Sequence, residues 1–175
     1  MANTNPLFST CDFGDEFKAE PLQQARFRVL PPVFQHYGAN RSFFGPVKTV
    51  KCFEDNTPVK AALEAPGHGA VLVVDGGSSL RRALVGGNIA DSAAKNGWAG
   101  IVVDGAVRDF AELQLAQVGI CALALTPLPT DRQTPGNKDL PVIIQGVPIK
   151  PGDWLYADAD GIVVSDQPLH TNLNT

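Results

Sequence analysis

Arg108, Asp109 and Glu112 stand together at the polar end of an otherwise apolar run. Two carboxylates three residues apart share a face on the first turn of a helix, where with water they can hold a hard divalent cation such as Mg2+ or Mn2+. The adjoining guanidinium offers a planar fork for a substrate carboxylate. Upstream, Gly86 and Gly87 precede a helical pattern beginning at Asn88, so backbone N–H groups there can cradle an anion without obstruction by side chains. Together these groups describe a site for an anionic, chelating small molecule. The same residues admit a plainer reading, in which Asp109 favours a helix amino terminus and Arg108 and Glu112 form an i,i+4 pair.

Other chemistries find less support. His36, His68 and His170 are scattered, with no metal-ligand spacing and no partner for a triad, and are expected at the surface. Lys48, Lys51, Lys60, Lys95 and Lys150 fall on polar faces or beside turns, unlike a Schiff-base lysine in an apolar setting. Gly76 and Gly77 follow a strand, yet Ser78, Ser79 and Leu80 come next with no Lys, so neither a P-loop nor a dinucleotide fingerprint is present. Arg81 and Arg82 are read as a solvated face or subunit contact. Asp158 and Asp160, in a DADG stretch, are read as turn chemistry, and Trp98 and Trp154 as core packing or a subunit contact.

The elements that must position the site follow from periodicity. Asn88 to Asn96 carries Ile89, Ala90, Ala93 and Ala94 at helical spacing, stopped by Asn96-Gly97. Ala99 to Val103 reads as a strand buried on both faces, ending where Asp104, Gly105, Arg108 and Asp109 begin, and Phe110 to Gln117 resumes a helix. Ligands of open α/β sheets bind outside the carboxyl ends of strands, which is where these charges fall. Before this unit, VKTVKCF alternates as a strand, Asn56-Thr57-Pro58 caps the helix VKAALEA, and GAVLVVD is a wholly apolar strand. Residues 1 to about 20 are polar and mixed and read in part as a tail. Gln23 to Val33 breaks at Pro31-Pro32 and takes no role. After the site come a strand at Ile120 to Leu125, a surface loop from Pro127 to Leu140, and the β segments PVIIQG, VPIKPGDWLYAD and GIVVSD. The expected fold is an α/β/β single domain over residues 21–175, a mixed sheet with helices on one side and β hairpins as a second layer.

Composition narrows the function classes. The chain's 175 residues are 44% hydrophobic and 18% charged, which describes an ordinary globular domain. Its net charge of -4, without a long basic run, argues against direct nucleic-acid binding. Cys11, Cys52 and Cys121 fit neither a disulfide framework nor a CxxC metal site and point to the cytoplasm. No export signal and no membrane span is read from the sequence.

The stretches GPVKTVKCFEDN, VLVVDGGSSLRRALVGGNIA, NGWAGIVVDGAVRD and GDWLYADADGIVVS, between about Tyr37 and Asp166, resemble the RraA-like family. That family includes the class II 4-hydroxy-4-methyl-2-oxoglutarate aldolases and RraA, the regulator of ribonuclease E activity. Its aldolase signature is a Gly, twenty residues, Arg-Asp, two residues, then Glu or Asp, and is met by Gly87, Arg108, Asp109 and Glu112. The resemblance implies a swivelling-domain-like fold, a homotrimer, and a divalent cation, Mg2+ or Mn2+, on Asp109. It further implies substrate contacts from Arg108 and from the backbone at Gly86, Gly87, Asn88 and Ile89, with Glu112 among the candidates for the base. The implied reaction cleaves 4-hydroxy-4-methyl-2-oxoglutarate to two pyruvates, with decarboxylation of oxaloacetate through the same pyruvate enolate. Regulator-only members can lack the Asp after the Arg, which this chain keeps. A second expectation is therefore a protein that binds and inhibits ribonuclease E. Some family members carry a methyltransferase label, for which this sequence has no glycine-rich cofactor loop.

Overall fold

The computed structural model describes residues 8–19, 26–131 and 136–169. In chain order the elements are α1 (Thr10–Phe17), β1 (Arg28–Val29), β2 (Gln35–His36), β3 (Phe43–Lys51), α2 (Thr57–Glu64), β4 (Val71–Asp75), β5 (Ala83–Val85), α3 (Gly87–Lys95), β6 (Gly100–Val107), α4 (Phe110–Leu113), β7 (Gly119–Leu125), β8 (Asn137–Lys138), β9 (Val142–Ile144), β10 (Val147–Ile149), β11 (Trp154–Ala157) and β12 (Ile162–Ser165).

Strands β3, β4, β6 and β7 pair in parallel at the centre of a ten-stranded sheet, and β2, β11, β12 and β1 extend it antiparallel. Alternate residues of the central strands feed two cores. Val50, Leu72, Val74, Ile101, Val103 and Ile120 meet α2, α3 and α4 through Val59, Leu63, Ala90, Ala93 and Leu113. Val71, Val73, Val102 and Cys121 meet the β9–β10 hairpin and strands β11 and β12 on the other face. The α/β/β layering expected from the sequence is therefore present. An eight-residue helix is marginal alone; in α2 the fully buried Val59 and Leu63 contribute about 1.5–3 kcal/mol each, which holds it on the sheet.

Four local expectations are corrected. Helix α1 occupies part of the expected tail: Phe8, Phe13 and Phe17 are buried with Phe27 and Tyr156, and Asp158 accepts from Thr10 N at 2.7 Å and Thr10 Oγ1 at 2.6 Å. A short polar segment hides this contribution, because its three phenylalanines are spaced for an aromatic satellite core. Strand β6 does not end at Val103 but runs to Val107 with Asp104 and Gly105 buried inside it. It can do so because β4 stops at Asp75, opposite Asp104, and β5 then takes over the same edge, pairing Ala83 with Ala106 and Val85 with Val107. Strand β5 itself lies in a stretch for which the sequence predicts no element. The helix expected over Phe110 to Gln117 is the four-residue α4.

Arg28, in the segment given no role, is only 5% exposed and pairs with the fully buried Asp153 at 3.0 Å, donating also to Pro148 O at 2.6 Å. This ion pair ties β1 to the second β layer. Among the described residues no helix is long and apolar enough to cross a membrane.

Candidate active site

Where β6 overhangs β4, its end delivers Arg108 and Asp109 to the amino-terminal end of α3. Arg108 N donates to Val85 O at 3.0 Å, fixing the strand end against β5. Asp109 then leaves the strand in the left-handed region, at φ 64° and ψ 47°, and Glu112 N and Leu113 N donate to its carbonyl at 2.9 and 3.0 Å. Asp is among the few residue types that take this conformation routinely. The chain thereby turns sharply and points the Asp109 carboxylate at α3, where Oδ2 accepts from Gly87 N at 3.0 Å and lies 3.5 Å from Arg108 Nε. Asp109 and Glu112 are thus not two positions on one regular helical face, and Arg108 pairs with Asp109, not with Glu112.

The glycines are required by contact. A Cβ on Gly86 would lie 2.5 Å from Asp109 Oδ2, and one on Gly87 would overlap the Glu112 carboxylate. Glu112 therefore packs its acid group over Gly87, in the space a side chain there would fill. In the first turn of α3, Gly87 N is taken by Asp109 and Ile89 N donates to Gly86 O at 3.1 Å, so the expected backbone cradle narrows to Gly86 and Asn88.

A pocket of about 160 Å³ opens at this point, lined by Gly86, Asn88, Ile89, Arg108 and Asp109 together with Asn56, Lys60, Ala83 and Pro129. The first five are residues that the sequence singles out for the site; the other four are not. Asn56 is the N-cap of α2, as the sequence suggests, but its side chain makes no capping bond: Thr57 N donates to Asp55 Oδ1 at 2.9 Å, while Asn56 Oδ1 accepts from Thr130 Oγ1 at 2.8 Å. That leaves the Asn56 amide NH2 for a ligand. Lys60 lies one turn further along α2, its N–H donating to Asn56 O at 2.9 Å, a register that a single polar lysine does not reveal. Ala83 belongs to the overlooked β5.

A hard divalent cation asks for oxygen ligands, and Mg2+ usually takes one or two carboxylates and keeps several waters. Among the described residues no cluster of three or more His, Cys, Asp or Glu could cage a metal. The Asp109 hydrogen bond to the α3 turn and its approach to Arg108 both use Oδ2, so Oδ1 is available beside a polar pocket. The donor set fits a cation that completes its shell from water and a chelating ligand.

A second polar cleft, of about 620 Å³, lies over β3, β4 and β6. Lys51, Asp75 and Asp104 stand abreast on these strands. Lys51 Nζ binds Asp75 Oδ2 at 2.7 Å, an interaction that raises the lysine pKa, while Asp104 accepts from Ser78 Oγ at 3.0 Å and Gln145 Nε2 at 2.7 Å. These acids are satisfied within the fold and anchor the β9–β10 turn to the sheet. Of the three histidines, His68 is exposed as expected and His170 lies outside the described residues. His36 is half-buried, not a surface histidine: Nε2 donates to Asp158 O at 2.7 Å, which leaves Nδ1 facing Cys121 Sγ at 3.5 Å. Burial lowers the His36 pKa and pushes the Cys121 thiol up to about 12, so the pair is neutral and offers no nucleophile. Arg81 and Arg82 pair with Glu54 and Asp131, and Asp158 Oδ1 accepts from Asp160 N and Gly161 N as turn chemistry requires.

Residues 10–164 match the RraA-like family, described as Aldolase/RraA. A protein of Albidiferax ferrireducens bearing the provisional name 4-hydroxy-4-methyl-2-oxoglutarate aldolase is 56% identical over 168 residues, covering 91% of this chain and 96% of its own. The solved structure of the RNA-processing inhibitor RraA from Thermus thermophilus is 43% identical with a TM-score of 0.85, covering 92% of this chain and 94% of that one. A Geobacillus kaustophilus structure named S-adenosylmethionine:2-dimethylmenaquinone methyltransferase is 40% identical with a TM-score of 0.84, covering 93% and 97%.

Proposed function

Since the chain belongs to the RraA-like family, we propose that it is a carbon–carbon lyase, a divalent-metal-dependent aldolase that cleaves 4-hydroxy-4-methyl-2-oxoglutarate to two pyruvates and decarboxylates oxaloacetate. The observation that carries this reading is the convergence of Arg108 and Asp109 on the Gly86-Gly87 turn at a small polar pocket, with Glu112 packed against Gly87. Relatives that are 56% and 53% identical over the aligned residues bear provisional aldolase names.

In this reading Asp109 would hold Mg2+ or Mn2+, and the cation would supply electrophilic stabilisation of the negative charge that develops on the substrate's 2-oxo group. Asn88 N–H receives the substrate's 2-oxo carboxylate, while Arg108 donates to the keto oxygen as negative charge gathers there. Gly87 N, by binding Asp109 Oδ2, keeps the carboxylate from rotating away. Glu112, packed over Gly87, accepts the C4 hydroxyl proton at Oε2, directly or through a water, as the C3–C4 bond breaks. Decarboxylation of oxaloacetate needs no such base, because the leaving carboxylate carries no proton. The working assembly is a homotrimer in the cytoplasm, in keeping with exposed Phe110, Leu115, Leu125 and Leu128 on elements around the site.

The test is pyruvate release from both substrates with Mg2+ or Mn2+ and again with EDTA, beside Asp109→Asn and Asp109→Ala. Asn tolerates the left-handed turn and so removes the charge alone, whereas Ala adds roughly 1–2 kcal/mol of backbone cost. Metal-dependent turnover lost in both variants is expected. Full turnover by Asp109→Asn would sink the assignment. A second reading, favoured by the likeness to RraA of Thermus thermophilus, is that a surface of this chain binds and restrains ribonuclease E. Absence of a complex in a pull-down with ribonuclease E would count against it.

A further inference from the structure

The active-site pocket has a polar feature that the metal-and-arginine chemistry does not use. Lys60 enters its lining from α2, with the Asn56 amide one turn before it, whereas Arg108 and Asp109 come from the end of β6. Ala83, Ile89 and Pro129 add apolar wall to the same pocket. Arg108 already has a counter-ion in Asp109. Lys60 pairs only with Glu64 Oε1 at 3.7 Å among the described ion pairs, in an i,i+4 arrangement whose side chains are 46% and 56% exposed. Such a surface pair is weak and easily exchanged for a better acceptor. The pocket thus holds a weakly committed cation, on a different element from the groups that handle a 2-oxo carboxylate.

We propose that Lys60 binds the second carboxylate of the substrate and so selects 2-oxo acids with a distal acid group over monocarboxylic 2-oxo acids. This inference rests on the aldolase reading and adds the residue that sets its substrate class. The distal carboxylate meets the Lys60 ammonium, with the apolar wall packing against the carbon chain between the two acid groups. The ammonium is a point charge on a flexible stem, so it accommodates dicarboxylic 2-oxo acids of different chain length, as oxaloacetate and 4-hydroxy-4-methyl-2-oxoglutarate require. Lys60 transfers no proton, and in 4-hydroxy-4-methyl-2-oxoglutarate, whose second carboxylate survives the cleavage, its effect lies in binding.

The experiment compares Lys60→Gln and Lys60→Arg with the wild type on two kinds of substrate. Dicarboxylates are followed by pyruvate release; pyruvate, which has no second carboxylate, is followed by deuterium exchange of its methyl protons. Lys60→Gln is expected to raise KM for both dicarboxylates roughly ten- to a hundredfold, the range for one charge-assisted hydrogen bond, with kcat held within about twofold for 4-hydroxy-4-methyl-2-oxoglutarate and not lowered for oxaloacetate, whose second carboxylate leaves as neutral CO2. KM for pyruvate exchange stays unchanged, and Lys60→Arg restores most of the dicarboxylate KM. An unchanged dicarboxylate KM, or an equal loss on pyruvate, overturns the proposal while leaving the aldolase reading intact. A wild type that turns over none of these substrates overturns both.

Discussion

Replacing Gly87 by Ala tests the geometry of the site while leaving each of its charged side chains in the sequence. On helix propensity alone the change should stabilise α3 by up to about 1 kcal/mol. The structure predicts the opposite sign. The added methyl would overlap the Glu112 carboxylate and lie 2.7 Å from its Cδ and 2.8 Å from its Cβ. The carboxylate can swing away, but the Cβ cannot do so unless α4 shifts, and overpacking of this kind costs about 1–3 kcal/mol. The clash is removed in stages: Glu112→Ala eliminates the carboxylate overlap and leaves the Cβ contact, and Glu112→Gly eliminates both. Urea unfolding of Gly87→Ala in the three backgrounds should give a penalty that shrinks from Glu to Ala and reverses with Gly, with a coupling of about 1–3 kcal/mol across the full cycle. Gly87→Ala should also depress pyruvate release in the Glu112 background, because the displaced acid is the proposed proton acceptor. An identical stability effect in all three backgrounds, within the ~0.5 kcal/mol expected of independent sites, would refute the packing of Glu112 over Gly87.

Two further outcomes concern the scaffold. Asp153→Ala strands Arg28 in the interior and should cost about 3–5 kcal/mol in urea unfolding, while Arg28→Met with Asp153→Leu should recover most of it; a loss below about 1 kcal/mol for the single variant would show that the pair is not buried as described. Burial holds the His36 pKa below its usual 6.5, against the opposing pull of Asp158 and with the help of Arg41. The unfolded chain therefore binds the proton more readily, so this contribution to stability is complete above about pH 6.5 and lost as pH falls below it. His36→Gln should flatten the stability profile between about pH 7 and 5, and an unaltered slope would assign the acid sensitivity elsewhere.

How much of this is legible in the sequence depends on the range of the interaction. Helix α3 and its stop at Gly97, strand β4 and the apolar half of β6 follow from local pattern, because two-sided burial and helical spacing are written in consecutive residues. Gly86, Asn88, Ile89, Arg108 and Asp109, all singled out by the motif and its flank, line the pocket. The internal geometry of the motif is not readable, since the left-handed turn at Asp109 converts an apparent helical i,i+3 pair into two acids approaching α3 from different directions. Asn56, Lys60 and Pro129 reach the pocket through the packing of α2 and the loop after β7, which no spacing rule records. Strand β5 escapes because it is three residues long and serves to continue an edge that β4 abandons. Arg28 and α1 escape because their partners, Asp153 and Asp158, are more than a hundred residues away.

The left-handed turn at Asp109 also bears on how such chains can diverge. Asn and Gly, like Asp, occupy that backbone region at little cost, and most other residues do not. Mutation at this position is therefore filtered twice, once by the reaction and once by the turn. A descendant released from the first filter still faces the second, so loss of the carboxylate should run preferentially through Asn or Gly. Such a descendant would keep the fold, the strand overhang and every surface a partner would recognise, while giving up the proposed metal ligand. The backbone at one residue thus leaves a route by which a chain with the proposed aldolase site becomes a binding protein without first becoming unstable.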